Sequence, residues 1–330
     1  MIEAINKYVL MAPFHNKDAG FSKWTLAKKG GKEYFIKEFL DPVYPTDTSI
    51  SDEFLRSSIQ NCRQYEEKKK RLYSAVNRAS DGNIARIEEL FRCDNHYYLV
   101  TERISGPKMT PQELQNHSYQ DRLLLCKTVA HAMMKVHDEG IIHADIKPSN
   151  IMLSKSASGR LVGKIIDFDS SFFRDDPPRH SDDLVGDQVY MSPEACLFIC
   201  GEPAELTCKM DVFGLGILFH QYLTGTLPSF DTREYDYAFD YVLDGYKLGV
   251  STEIPSEIRA VISSMLEQNP DNRPTMRDVY NSLGLVGAAA AASSFSTDAP
   301  APDYRREIKE KKEPVKKTMR PEDYFKAVKD

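Results

Sequence analysis

Three short runs rich in β-branched and aromatic residues, TLAKK at 25–29, EYFIKEF at 33–39 and YYLVTE at 97–102, recur in the first part of the chain between polar turns. This is the pattern of strands with one buried and one exposed face. Lys29-Gly30-Gly31-Lys32 joins the first two as a glycine turn that closes a hairpin. No phosphate-loop spacing surrounds it. One long polar segment, residues 52–77, reads as a helix. Residues 1–101 therefore predict a small sheet carrying one main helix.

From residue 102 onward the periodicity turns helical. Within 120–139, Leu125, Val129, Ala132, Met133 and Val136 fall on one face, and Gly140 follows as a helix stop. Near the end, Ile258, Val261, Ile262, Met265 and Leu266 repeat at helical spacing after Pro255. Past Leu285 the chain changes to an alanine run, then SSFSTDAPAP, then the mixed-charge RREIKEKKEPVKK, which offers little to bury. Residues 286–330 are expected to form a disordered tail. Its last ten residues, PEDYFKAVKD, read as a frayed terminus, although a short helix would place Tyr324, Phe325 and Val328 on one side.

A hydrophobic content of 41% over 330 residues supplies a sizeable core. The net charge of −6 argues against a nucleic-acid surface. Six scattered cysteines lack both metal-ligand spacing and the density of a disulfide scaffold, which predicts reduced thiols. The start, MIEAINKYVL, is no signal peptide, and no stretch has the length of apolar sequence that a membrane span needs. A soluble, cytoplasmic protein is expected.

The candidate chemistry lies in His143-Ala144-Asp145-Ile146-Lys147-Pro148-Ser149-Asn150 and in Asp167-Phe168-Asp169, which follows the apolar Ile165-Ile166. Phosphoryl transfer needs a carboxylate to orient and accept the proton of the attacking hydroxyl, and oxygen ligands for a hard divalent cation. Asp145 fits the first task; Asn150 and Asp167 fit the second.

With these motifs the sequence resembles the protein kinase family, serine/threonine type, over about residues 8–285. The resemblance implies an α+β bilobal fold: a β-rich N-lobe at 1–101, then hinge and mainly α C-lobe at 102–285. It implies ATP and magnesium, or manganese, as cofactors, and Ser/Thr hydroxyls of proteins as substrates. Asp145 resembles the catalytic base, and Lys147 the lysine that contacts the transferred phosphate. Asn150 and Asp167 resemble the metal ligands. Lys37, in Tyr34-Phe35-Ile36-Lys37, resembles the lysine on the ATP phosphates that pairs with a helix glutamate; Glu66 is preferred for that partner and Glu67 is the alternative. Thr101 would guard the adenine pocket, and backbone groups of Glu102 and Ile104 would bind the base. Glu194, in Met191-Ser192-Pro193-Glu194, is expected to form a buried ion pair with Arg273.

The sequence departs from the family pattern in several places. The phosphate-covering loop, G-x-G-x-x-G in the family, reads Lys17-Asp18-Ala19-Gly20-Phe21-Ser22 with one glycine; Gly20 and the small Ala19 and Ser22 still leave room for phosphates, and weaker ATP binding is expected. Ala144 replaces an arginine that reads a phosphate on the activation loop, which implies activity without that phosphate. Asp169 replaces a glycine, at a position where tolerance of positive φ would matter. Asp187 replaces a threonine that steadies the base. Residues 170–189 read as a flexible activation loop, and Ser293, Ser294, Ser296 and Thr297 as candidate autophosphorylation sites. Two other readings stay open: a pseudokinase that binds ATP as an interaction scaffold, and a kinase-like enzyme acting on small molecules.

Overall fold

The computed structural model describes residues 4–16, 22–45, 53–106, 109–156 and 159–292, with side chains up to Gly284. Ala19, Gly20 and the four hydroxyl residues of the tail lie outside the described residues.

Strands β1 (Ala4–Ile5), β2 (Tyr8–Leu10), β3 (Ser22–Lys29) and β4 (Lys32–Phe39) precede helix α1 (Glu53–Ala79), and β5 (Ile87–Cys93) and β6 (His96–Glu102) follow it. The six strands form one antiparallel sheet in the order β1-β2-β3-β4-β6-β5. Gly30 and Gly31 both take positive φ in the predicted β3–β4 turn, where a side chain would be strained. Ile36 packs on one face of the sheet with Tyr8, Ala27, Tyr98 and Val100. Its neighbour Lys37 points to the opposite face by strand alternation, and is 8% exposed there.

The second half holds α2 (Tyr119–Asp138), β7 (Ile141–Ile142), the hairpin of β8 (Ile151–Lys155) and β9 (Leu161–Ile165), then β10 (Phe172–Phe173) and five helices: α3 (Pro193–Ile199), α4 (Lys209–Thr224), α5 (Ala238–Leu243), α6 (Ser256–Met265) and α7 (Met276–Ala292). Ser118 caps α2 by accepting from the Asp121 N–H at 3.1 Å. Gly140 ends the same helix region at φ 73°, the left-handed conformation that favours glycine. A continuous core joins α1, α2, α4, α6 and α7. The result is a sheet-bearing lobe on a helical lobe, with α1 packed on both β5 and α2.

Helix α7 continues through Ala292, past the boundary expected at Leu285. Alanine has the highest intrinsic helix propensity, and the run at 288–292 extends a helix already begun at Met276. Within 170–189, β10 pairs with β7, the Arg174 N–H donates to the Gly140 carbonyl at 2.8 Å, and the Ser171 hydroxyl donates to the His143 carbonyl at 3.0 Å. Composition alone did not reveal these anchors because they are made to the backbone of distant residues.

Candidate active site

The loop from β7 to β8 carries the His143–Asn150 motif, and its shape is imposed from α4. Asp211 is 2% exposed. Its two carboxylate oxygens accept the backbone N–H groups of His143 (2.8 Å) and Ala144 (2.9 Å), and His137 Nε2 lies 2.9 Å away. This grip accommodates Ala144 at φ 65°. Gly214, one turn along α4, lies against the same region: a Cβ there would meet the Tyr190 carbonyl at 2.9 Å and Ile146 Cβ at 3.3 Å. Sequence alone did not assign Asp211 this hold on the loop.

Asp145 is held asymmetrically. Its Oδ2 accepts from Asn150 Nδ2 and pairs with Lys147 Nζ, both at 2.8 Å. Its Oδ1 is buried and has no hydrogen-bond partner among the described residues. Asn150 Nδ2 also donates to the Asp145 carbonyl at 2.8 Å, which commits the nitrogen to Asp145 and turns the amide oxygen the other way.

Asp167 follows β9 and adopts φ 62°. The left-handed residue of Asp167-Phe168-Asp169 is thus the first, and Asp169 does not take positive φ, so the tolerance expected of aspartate at 169 is not called upon. Phe168 is 3% exposed and its ring lies 4.9 Å from that of His143. His143 Nε2 lies 3.1 Å from the Ile166 carbonyl.

Lys37 reaches across the cleft and donates to Asp167 Oδ2 at 3.0 Å and to Asp169 Oδ2 at 2.6 Å. The expected pair with Glu66 is not formed. Glu66 accepts from Lys70, one turn along α1, at 2.5 Å, and Glu67 is exposed. Cys62, Tyr65, Lys69, Leu72, Tyr73 and Val76 form the inward stripe at spacings of three and four, and Glu66, four residues from Cys62 and three from Lys69, lies at its edge; its carboxylate turns along the helix to Lys70 while Asp167 and Asp169 occupy Lys37. Tyr65 packs against Tyr97 at 5.4 Å between centroids. Lys69 Nζ donates to the Asp169 carbonyl at 2.5 Å, and the Tyr73 hydroxyl donates to Asp169 Oδ1 at 3.1 Å.

Burial works against charge in all four groups. At Asp167, Lys37 overrides burial and holds the carboxyl below its ordinary pKa. At Asp169, burial and the neighbouring Asp167 charge together outweigh the two lysines and raise it. Lys37 is raised despite burial because two carboxylates face it, whereas Lys69 is lowered, burial outweighing Asp169.

At the hinge, the Glu102 N–H donates to the Arg86 carbonyl at 2.9 Å, and its carboxylate pairs with Lys164 at 2.7 Å. The amide of Glu102 is thereby occupied. Ile104 follows in irregular backbone, and Thr101 pairs with Phe35 on β4. Ser22 opens β3 and is 4% exposed. Among the described residues Asp187 makes no hydrogen bond to Asp145; its Oδ1 accepts from the Val189 N–H at 3.0 Å. Glu194 and Arg273 form the expected pair, bidentate at 2.6 and 2.9 Å.

No group of three or more His, Cys, Asp and Glu side chains that could enclose a metal occurs among the described residues. One carboxylate, Asp167, and one amide oxygen, Asn150, suit a hard cation that takes its remaining ligands from phosphates and water.

The sequence profile of the protein kinase domain family matches residues 56–283. The match begins within α1, so Lys37 and β1 to β4 lie upstream of it. Among curated proteins, the chain is 27% identical over 245 residues to the serine/threonine-protein kinase PkaA of Streptomyces coelicolor, covering 69% of this chain and 44% of that protein. It is 27% identical over 210 residues to the ovarian-specific serine/threonine-protein kinase Lok of Drosophila melanogaster, with 62% and 43% covered. It is 30% identical over 204 residues to sperm motility kinase 2B of Mus musculus, with 61% and 40% covered. The chain spans less than half the length of these relatives.

Proposed function

The chain belongs to the protein kinase domain family, and we propose that it transfers the γ-phosphate of ATP to Ser and Thr hydroxyls of protein substrates. The observation that carries this reading is Asp145: one carboxylate oxygen is fixed by Asn150 and Lys147, and the other is buried and unpartnered. A buried acceptor without a donor is costly to maintain, and a substrate hydroxyl would satisfy it. The hydroxyl oxygen attacks the γ-phosphorus, the bond from that phosphorus to the leaving oxygen of ADP breaks, and the hydroxyl proton passes to Asp145 Oδ1. Lys147, beside Asp145, meets the transferred phosphoryl oxygens. Lys37 binds the α/β-phosphates, and Asn150 and Asp167 would hold magnesium, or manganese, which neutralises phosphate charge when bound.

We extend the proposal to regulation. Ala144 offers no cation for an activation-loop phosphate, while Asp175 and Asp176 of that segment already pair with Arg71 (3.3 Å) and Lys68 (3.0 Å) on α1. In this proposal these carboxylates supply negative charge of the kind a loop phosphate would otherwise bring, and the enzyme is active without loop phosphorylation. The tail residues Ser293, Ser294, Ser296 and Thr297 are proposed autophosphorylation sites, tested by mass spectrometry after incubation with ATP. A cytoplasmic location suits the six free cysteines.

The test is transfer of labelled phosphate to a generic protein substrate, with Asp145→Asn as the control. Loss of a general base lowers the rate by about 10² to 10⁴. A variant as fast as the parent would refute the role of Asp145. A parent that binds ATP but transfers nothing would favour the pseudokinase reading.

A further inference from the structure

We infer that Asp169, rather than a glutamate of α1, is the carboxylate that positions Lys37 for the nucleotide, and that Lys69 and Tyr73 of α1 hold it there. The inference rests on the kinase reading of Lys37 and adds to it a residue that the family pattern assigns elsewhere.

Three observations converge. First, Lys37 is closer to Asp169 than to Asp167, 2.6 against 3.0 Å. Second, α1 offers Lys37 no hydrogen-bonding carboxylate among the described residues, Glu66 being taken by Lys70. Its inward stripe places Lys69 at the point nearest Asp169, with Nζ 5.9 and 5.7 Å from the ring centroids of Tyr65 and Tyr73. Third, Asp169 is restrained at both ends. Its carbonyl accepts from Lys69 and its Oδ1 from Tyr73, leaving Oδ2 for Lys37.

The arrangement solves a problem that Asp167 alone would create. A lysine whose single partner is the metal-binding carboxylate must either give up that partner or compete with the metal. With Asp169 present, Lys37 keeps a charge-assisted partner when Asp167 is engaged, so its ammonium stays in place. Lys69 and Tyr73 then tie α1 to Lys37 through Asp169, where a helix glutamate would do so directly. The sign of the helix charge is reversed, and the carboxylate has moved to the other side of the contact.

The test uses the full chain and two readouts: ATP affinity by calorimetry and steady-state transfer. Asp169→Asn keeps the shape and removes the charge; it should weaken ATP binding or lower kcat/KM for ATP on the order of tenfold. Glu66→Gln should match the parent in both. The double variant Lys69→Glu with Asp169→Gly, which returns the carboxylate to the helix, should recover most of the loss seen in Asp169→Gly alone. Asp169→Asn equal to the parent in both readouts would overturn the inference. So would a loss in Glu66→Gln as large as that in Asp169→Asn, or a folded double variant with no recovery. Because ATP affinity is read directly, the outcome stands apart from whether the parent transfers phosphate to protein.

Discussion

Replacing Glu194 by Gln removes the charge that faces the most deeply buried cation in the helical lobe. The Arg273 side chain is 0% exposed and that of Glu194 5%. The guanidinium spends its donors on Glu194 (2.6 and 2.9 Å) and on the carbonyls of Glu267 (2.7 Å), Lys209 (2.9 Å) and Gln268 (3.0 Å), with Phe213 at 4.9 Å beneath it. In Glu194→Gln the three carbonyls and the ring remain, but the amide NH2 faces a donor, so one bond is lost outright and the other loses its charge. Breaking such a pair from one side costs about 3–5 kcal/mol, and the remaining carbonyls place this variant near the lower end. Arg273→Met strands both the Glu194 carboxylate and the three carbonyls, which places it at the upper end. Against a total stability of about 5–15 kcal/mol, either loss is large. At roughly 2–4 °C per kcal/mol, the midpoint should fall by on the order of 10 °C. Thermal unfolding followed by far-UV circular dichroism measures the midpoint and urea unfolding the free-energy loss, and Trp24, the one tryptophan in the chain, gives an independent probe in the sheet. Combining Glu194→Leu with Arg273→Met should recover part of the loss. A Glu194→Gln variant within about 1 kcal/mol of the parent would refute the idea that this pair is held by mutual neutralisation.

Asp211→Asn leaves one oxygen to serve the His143 and Ala144 amides, so kcat should fall about tenfold or more while KM for ATP changes little; an unchanged kcat would remove Asp211 as the support of the loop. Phosphatase treatment of the purified protein should leave activity intact, and activity abolished by it would sink the proposed role of Asp175 and Asp176. Under native alkylation Cys93 should react first, because burial raises the Cys62, Cys126, Cys196, Cys200 and Cys208 thiols, Cys208 to about 12. Mass spectrometry after limited treatment with iodoacetamide would decide it, with early labelling of Cys126 as the contrary result.

Sequence was most informative where chemistry is packed into few residues. Asp145, Lys147 and Asn150 fall within one loop whose backbone path leaves them little choice but to meet. Periodicity placed α2 and α6 to within one residue at most ends. The partner of Lys37 was not legible in this way, because the spacing of carboxylates on α1 does not reveal that Lys70 takes Glu66 or that Asp169, 132 residues away, reaches Lys37. Tyr65, Lys69 and Tyr73 at spacings of four beside Cys62, Leu72 and Val76 mark the buried face, but that spacing also admits Glu66 at its edge. The alanine run at 288–292 misled in the opposite sense: low complexity suggested a tail, although alanine is the residue that best continues a helix.

Asp169 and Lys69 look like separate departures in sequence, but burial makes them one. A cleft that holds Lys37 and Asp167 out of bulk water tolerates an added carboxylate only if a cation comes with it, since an unpaired buried charge is far more costly than a paired one. Lys69 at the Asp169 carbonyl and Lys37 at its carboxylate meet that condition, and two lysines then face two aspartates. Changing either residue alone leaves an odd charge in a half-buried site, so effects at the two positions should be strongly non-additive. The same rule governs Glu194 and Arg273 in the helical lobe. There the pair fixes the base of the activation segment, whereas in the cleft the fourfold arrangement fixes a lysine that must stay charged and in place.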